Sequence, residues 1–345
     1  MDCLKTIKPS PISCKITTIF QKMSRGKCLK LNSNDQMPIV GFGAWKVAKN
    51  VCADTIYNAI KSGYRLIDGA QDYGNEKECG EGVRRAIADG LVKREDIFIT
   101  TKLWNTFHAK EHVEEMLRFS LKEWGLDYFD LFLIHFPIPL KYVDPKVRYP
   151  PEWYTDPIAK TTELEASPLI DTWAVLETCV EKGLCRNIGY ANFNAGLVME
   201  SFTWAKKIKP SVLQIEHHPY LVQDQLTSFA QSKGLAITAY SSFGQISYVE
   251  LDNPRINKAA MLLENDVVLR IAKEAKKTPA QVLLRWATQR NIAVIPKTSN
   301  PHRLAENLDC LSWDLSATQM KALSELDCNL RMNEPGTPET PLPVF

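Results

Sequence analysis

The stretch VCADTIYNAIKSGYRLIDGAQDYGNEKECGEGVRRAIAD, residues 51–89, reads as helix, strand, loop and helix in succession. Val51–Ser62 sets Val51, Ile56, Ala59 and Ile60 at helical spacing, and Gly63 stands just past them, where a helix-ending glycine belongs. Arg65–Asp68 is a short apolar run closed by a carboxylate, too short for a helix and bounded like a strand. After a polar loop, Asn75–Asp89 resumes the helical pattern. A buried strand between two helices is the unit of a parallel sheet.

The same unit recurs outward in both directions. Strands are expected at Pro38–Gly43, Arg65–Asp68, Ile97–Thr101, Leu131–His135, Arg186–Ala191, Val212–Glu216, Ala236–Tyr240 and Ile292–Pro296. Most of their ends lie 24 to 34 residues apart, room for one helix and two turns, and two intervals run to 56. Further helices are expected at Lys110–Glu123, Leu169–Lys182 and Val222–Lys233, with Gly125, Gly183 and Gly234 just beyond them. Eight such units favour closure into a (β/α)8 TIM barrel over an open sheet. Lys27–Met37, with Asn32-Ser33-Asn34-Asp35 at its tip, reads as a hairpin capping one end. The two long intervals hold loops, Phe136–Pro168 and Ser241–Glu264, which belong at the C-terminal face where barrel enzymes do their chemistry.

The chain of 345 residues suits one large domain or two ordinary ones. Residues 1–27 carry six Lys/Arg and one Asp, broken by Pro9 and Pro11, and read as a flexible extension; Met23 is an alternative start. Residues 28–345 form the expected single domain, with a proline-rich tail after Leu330 wrapping the surface. With Lys+Arg 42 against Asp+Glu 40 the net charge is +2, which argues against a nucleic-acid-coating surface. No apolar run reaches the roughly 18–20 residues of a membrane span. The nine cysteines are scattered with no CxxC, and there is no Asn-x-Ser/Thr; both fit a reducing, cytoplasmic setting.

If the barrel forms, the strand ends converge. They bring Gly43 and Trp45, Asp68, Lys102, His135, Asn192, Gln214 and Glu216, Tyr240 and Ser241, and Lys297 to one mouth. Each alone has a structural explanation: Asp68 as a helix cap, Lys102 as a surface charge, His135 as a satisfied core residue. Their joint placement points to a site. Tyr73, five residues beyond Asp68, returns on a short loop. A free phenol titrates near ~10 and is a poor acid at neutral pH, but an adjacent ammonium lowers that value. Lys102 is expected to do this, held charged by Asp68, with His135 orienting a substrate oxygen.

With these residues the chain resembles the aldo-keto reductases, and within them the yeast and fungal xylose (aldose) reductases, over about residues 28–334. Gly63-Tyr64-Arg65-Leu66-Ile67-Asp68-Gly69-Ala70 with Tyr73-Gly74-Asn75-Glu76 is similar to the first family signature. Leu131–Pro137 carries the family histidine, and Gln214–Tyr220 and Ile295-Pro296-Lys297 complete the set. Tyr240-Ser241-Ser242-Phe243-Gly244, Val249-Glu250-Leu251 and Asn329–Pro335 are similar to the xylose reductase branch. The resemblance implies a catalytic tetrad of Asp68, Tyr73, Lys102 and His135, and NADPH, with some NADH tolerance, lying across the barrel mouth. No GxGxxG is present. It implies that Asn192 and Gln214 hold the carboxamide and that Tyr240 stacks on the nicotinamide. Ser241, Phe243 and Gly244 would line the pyrophosphate, and Lys297, Thr298, Ser299 and Arg303 the 2′-phosphate. Glu306 and Asn307 would meet the adenine, and Glu250 the ribose hydroxyls. Trp45, Trp104, His135, Phe136 and Asn333 would form the substrate pocket.

Two departures stand out. Gly189-Tyr190-Ala191-Asn192-Phe193 has Ala191 where the family usually has Ser, removing a hydroxyl expected on the carboxamide. Pro151-Glu152-Trp153 replaces a usual Gly-Phe pair. The expected activity is NAD(P)H-dependent reduction of aldoses and other aldehydes, the partner a small molecule, with no nucleic acid or membrane; a homodimer is left open. The alternatives are a reductase of uronates or keto compounds, a cofactor-binding regulatory subunit, a metal hydrolase using His135, His217 and His218, and a Schiff-base aldolase on Lys102. Adjacent strand residues such as His217 and His218 face opposite ways, which disfavours a shared metal, so no metal is expected. An amine kept charged by Asp68 disfavours the aldolase.

Overall fold

The computed structural model describes residues 27–251, 255–335, 342, 344 and 345. Residues 1–26 of the expected extension lie outside the described residues. An antiparallel hairpin comes first, β1 (Cys28–Lys30) paired with β2 (Gln36–Pro38). Eight parallel strands follow: β3 (Phe42–Gly43), β4 (Leu66–Asp68), β5 (Phe98–Leu103), β6 (Phe129–Ile134), β7 (Cys185–Ala191), β8 (Val212–Glu216), β9 (Ala236–Tyr240) and β10 (Ile292–Val294). Each pairs with the next in sequence order. The seam is closed by a parallel bridge between Val40 and Val294. There Gly41 N donates to Val294 O at 2.8 Å and Val294 N to Ile39 O at 2.9 Å. The expected (β/α)8 barrel is therefore the fold. The first strand does double duty: residues 39–41 pair across the seam, while Phe42–Gly43 pairs with Ile67–Asp68.

Both faces of the strands are covered. Every residue of β5 and β6 is buried, as parallel strands between a packed interior and an outer helical ring require. The ring is α1 (Lys49–Lys61), α2 (Glu76–Ala88), α3 (Lys110–Trp124), α4 (Leu169–Glu181), α5 (Ala195–Trp204), α6 (Asp224–Ser232), α7 (Asp266–Ala275), α8 (Pro279–Gln289), α9 (Pro301–Leu308) and α10 (Ala317–Ser324). The glycines beyond α1, α3, α4 and α6 all take positive φ, the left-handed turn that ends a helix without a Cβ clash.

The hairpin sits on the N-terminal end of the barrel. Asn32 Nδ2 donates to Pro210 O at 2.8 Å, Ser211 Oγ to Asn32 Oδ1 at 2.6 Å, and Asn187 Nδ2 to Asp35 Oδ2 at 2.7 Å. That end is thus plugged, and the opposite end carries the long loops. In the second interval, a loop of short turns is followed by two helices, α7 and α8, which explains its length.

Candidate active site

A cavity of about 770 Å³ opens at the C-terminal end of the strands. Asp68 ends β4, Lys102 lies near the end of β5, and His135 follows β6. Tyr73 comes from a single short turn, Gln71–Tyr73. That turn is fixed by Gln71, which donates to Met116 O and Ser120 Oγ, both at 3.1 Å, and accepts from Trp104 N at 2.8 Å.

Lys102 is wholly buried and spends its three donors on Asp68 Oδ1 at 2.5 Å, Gly69 O at 2.8 Å and the Tyr73 hydroxyl at 3.2 Å. Gln214 Nε2 donates to the other Asp68 oxygen at 2.8 Å. The His135 ring packs edge-on to Tyr73 (5.8 Å between centroids) and Trp104 (5.1 Å). Because Lys102 donates to it, the Tyr73 oxygen keeps its own proton free for another acceptor.

The electrostatics correct one expectation. Lys102 was expected to lower the Tyr73 phenol, yet burial pushes it well above the usual range, and the carboxylates of Asp68 and Asp72 push the same way. The reason is that Asp68, in contact with the ammonium, already balances its charge, so little is left to stabilise a phenolate in a dry pocket. Tyr73 is a neutral phenol at physiological pH, the state that holds a proton to give. Burial lowers Lys102, opposed by the charge and hydrogen bond of Asp68 and by Glu76. Burial, and then the charge of Lys102, hold His135 well below the usual imidazole range, so it is neutral.

Asn192 and Ser241 take positive φ, 63° and 53°, a strained backbone that occurs where a side chain must be aimed. Tyr240 donates from its hydroxyl to Asn192 Oδ1 at 2.6 Å, and Asn192 Nδ2 donates to His135 O at 2.8 Å. Asn333 Nδ2 donates to the Tyr240 hydroxyl at 2.9 Å. At the far end of the cavity lie Lys297, Thr298, Ser299, Arg303, Glu306 and Asn307. The Lys297 and Arg303 side chains form no ion pair among the described residues. Glu306 accepts from Thr278 Oγ1 at 2.7 Å.

The structure brings the named residues together with three exceptions, Lys102, Gly244 and Glu216, none of which lines the cavity. Lys102 lies beneath the cavity floor, and Gly244 packs on Leu262 behind it, with a φ of 63°. Trp45, Trp104, Phe136, Phe243 and Glu250 all line the cavity. His217 does not join them: it stacks on Trp286 at 4.7 Å, while His218 bonds Glu216, so the three histidines do not converge. Lining residues that sequence reasoning passed over include Lys46, Asp72, Trp153 and Tyr248. Lys46 donates to Ser247 O at 2.8 Å and pairs with Glu250 at 3.4 Å, tying the loop after β9 to the turn after β3. Tyr248 shares a 2.8 Å hydrogen bond with Ser241. Asp72 has a position next to Tyr73 as its only sequence signal. Burial and the charge of Glu152 raise its carboxyl to about 7.

The residues present fit a nicotinamide dinucleotide. Two uncompensated cations sit at one end for phosphate, the buried Ser242 hydroxyl has no partner among the described residues, and the amides of Asn192 and Gln214 sit beside the Tyr73 end. The pattern of the Aldo/keto reductase family matches residues 39–327. A protein named "Probable NAD(P)H-dependent D-xylose reductase" from Aspergillus fumigatus is 56% identical over 307 residues, 89% of this chain and 96% of its own. The NAD(P)H-dependent D-xylose reductase of Hypocrea jecorina is 56% identical over 307 residues, covering 89% of this chain and 94% of the relative. A further probable D-xylose reductase, from Arthroderma otae, is 55% identical over 317 residues, 92% of this chain and 96% of its own.

Proposed function

The chain belongs to the aldo/keto reductase family, and from that premise we propose that it reduces aldoses of the xylose type, and other aldehydes, to alcohols with NADPH and, as a second donor, NADH. The observation that carries this reading is the buried Lys102 bridging Asp68 and the Tyr73 hydroxyl at the floor of a cavity whose other end is cationic.

A bound reduced nicotinamide supplies a hydride to the carbonyl carbon. The protein's residues do the rest. Tyr73 gives its proton to the carbonyl oxygen as negative charge develops there, and Lys102 stabilises the phenolate left behind. Asp68 keeps Lys102 charged and in place. Neutral His135 offers an N–H to the same oxygen. Asn192 and Gln214 meet the carboxamide and Tyr240 the nicotinamide face. Ser241, Ser242 and Phe243 follow the pyrophosphate, with Gly244 turning their loop. Lys297, Thr298, Ser299 and Arg303 take the 2′-phosphate, Glu306 and Asn307 the adenine. Glu250, paired with Lys46 through one oxygen, would take ribose hydroxyls when that phosphate is absent. Trp45, Trp104 and Phe136 form the apolar wall, and Asp72 and Asn333 supply polar atoms for sugar hydroxyls.

Among the described residues no helix is long and apolar enough to cross a membrane, and Cys52, Cys79, Cys179, Cys185, Cys310 and Cys328 are free thiols. Those thiols support a cytoplasmic setting. The partner is a small-molecule sugar or aldehyde. Oxidation of NADPH, and separately NADH, by the purified protein with xylose, glyceraldehyde and galacturonate tests the reading by absorbance. Turnover of xylose is expected. Galacturonate as the only substrate would move the assignment to uronates, and tight NADPH binding without turnover to a regulatory subunit.

A further inference from the structure

The segment Gln214–Tyr220 contains a carboxylate that the chemistry above leaves unused. Glu216 ends β8 and has no exposed surface. A carboxylate stripped of water this completely must find strong partners. One is His218, whose Nε2 lies 2.8 Å from Glu216 Oε1. The others belong to the C-terminal segment. Met332 N donates to Oε1 at 2.9 Å and to Oε2 at 3.1 Å, and Asn333 N donates to Oε2 at 2.8 Å. The strand end thus grips the backbone of two residues 116 and 117 positions away. The grip sits where it matters: the Asn333 side chain bonds Tyr240, Tyr240 bonds Asn192, and Asn192 bonds the backbone of His135.

We propose that Glu216 is a positioning residue for substrate choice, its buried carboxylate clamping the Met332 and Asn333 amides so that Asn333 is held at the hydroxyl-binding side of the cavity. The inference rests on the aldose reductase reading given above. Asn333 lies on an irregular segment with no ladder of its own. Without the clamp its amide is free to leave Tyr240, and a polyhydroxylated substrate loses a partner that a plain aldehyde never used. Glu216 touches neither substrate nor cofactor and acts through Asn333.

The test is Glu216→Gln, in which one oxygen facing the two N–H donors is replaced by an NH2 group. Steady-state kinetics are compared for xylose and for propanal, which carries no hydroxyls. The KM for xylose is expected to rise roughly tenfold or more, with kcat/KM for propanal within about twofold of wild type. Asn333→Ala should raise the KM for xylose to a similar degree, and adding Glu216→Gln to it should cost less than about twofold more. Equal losses on both substrates, or losses that multiply in the double variant, would overturn the proposal in favour of a general structural role. Glu216→Asp keeps the charge and should retain a measurable share of the xylose preference. If Glu216→Gln does not fold, hydrogen exchange of the wild type decides: Met332 and Asn333 amides exchanging as fast as exposed ones would sink the clamp. A wild type that turns over propanal but not xylose would count against the aldose reading rather than against Glu216.

Discussion

Asp72 is asked to do two opposed things. It lies beside Tyr73 in the cavity, where a carboxylate is a good acceptor for sugar hydroxyls, and burial with the charge of Glu152 raises it to about 7. A folded-state value above the unfolded one, ~3.9, means that the stability linked to this group is full below the unfolded value and is lost as pH rises through about 7. Asp72→Asn is therefore expected to melt like wild type near pH ~4 and above it near pH ~8, while its KM for aldoses rises. Thermal melts at the two pH values with xylose kinetics check this; a variant less stable at the higher pH would contradict it. Ala191, buried at the end of β7, makes a second residue-scale case. Restoring the family hydroxyl with Ala191→Ser adds one hydrogen bond of ~0.5–1.5 kcal/mol, so NADPH affinity should improve by up to about tenfold in a fluorescence titration. Asp68, Lys102 and His135 were legible because strand ends converge in any closed barrel. The direction of the Tyr73 shift was not, because it depends on how completely the site is dried, which the sequence of the turn does not encode.

The loop Phe136–Pro168 is the element that completes the pocket wall. Its anchor is Glu76, a buried carboxylate in the first turn of α2 that accepts from Thr101 Oγ1 at 2.6 Å, Trp124 Nε1 at 2.9 Å, Ser120 Oγ at 3.0 Å and, from the loop, the Tyr149 hydroxyl at 2.9 Å. A second tie runs from Trp104 Nε1 to Glu152 O at 3.0 Å, next to Trp153, whose ring centroid lies 4.9 Å from that of Trp104. Tyr149→Phe removes one donor from a buried carboxylate and is expected to cost about 1–3 kcal/mol by chemical denaturation. It should also raise the KM for small aldehydes by loosening the Trp153 wall; an unchanged midpoint and KM would show that the loop is anchored elsewhere. The loop's importance was readable from its length and aromatic content, but its partner on α2 was not, since the two lie 73 residues apart. Helix α5 escaped the sequence reading for a related reason. Leu197, Val198, Met199, Phe202 and Trp204 surround it with apolar side chains, so no single stripe stands out, and its clearest signal is the Asn194 cap on Leu197 N.

At the scale of the molecule, the count of eight strand–helix units and the plugging hairpin follow from periodicity and glycine punctuation. Closure itself rests on the seam between residues 39–41 and Val294, backbone contacts that no side-chain pattern announces. Closing the ring lets residues from all eight strand ends meet, so a phenol resting on a buried ion pair shares one cavity with a cationic rim. The central claim is that this shared cavity performs reduction by proton donation from Tyr73. It is tested most directly with Tyr73→Phe, which keeps the ring and removes the hydroxyl that carries the proton. NADPH binding, read by fluorescence, should match wild type, while single-turnover oxidation of bound NADPH by xylose falls by roughly 10²–10⁴-fold. Turnover within a few-fold of wild type, with binding intact, would contradict the account and place the proton donor elsewhere in the cavity.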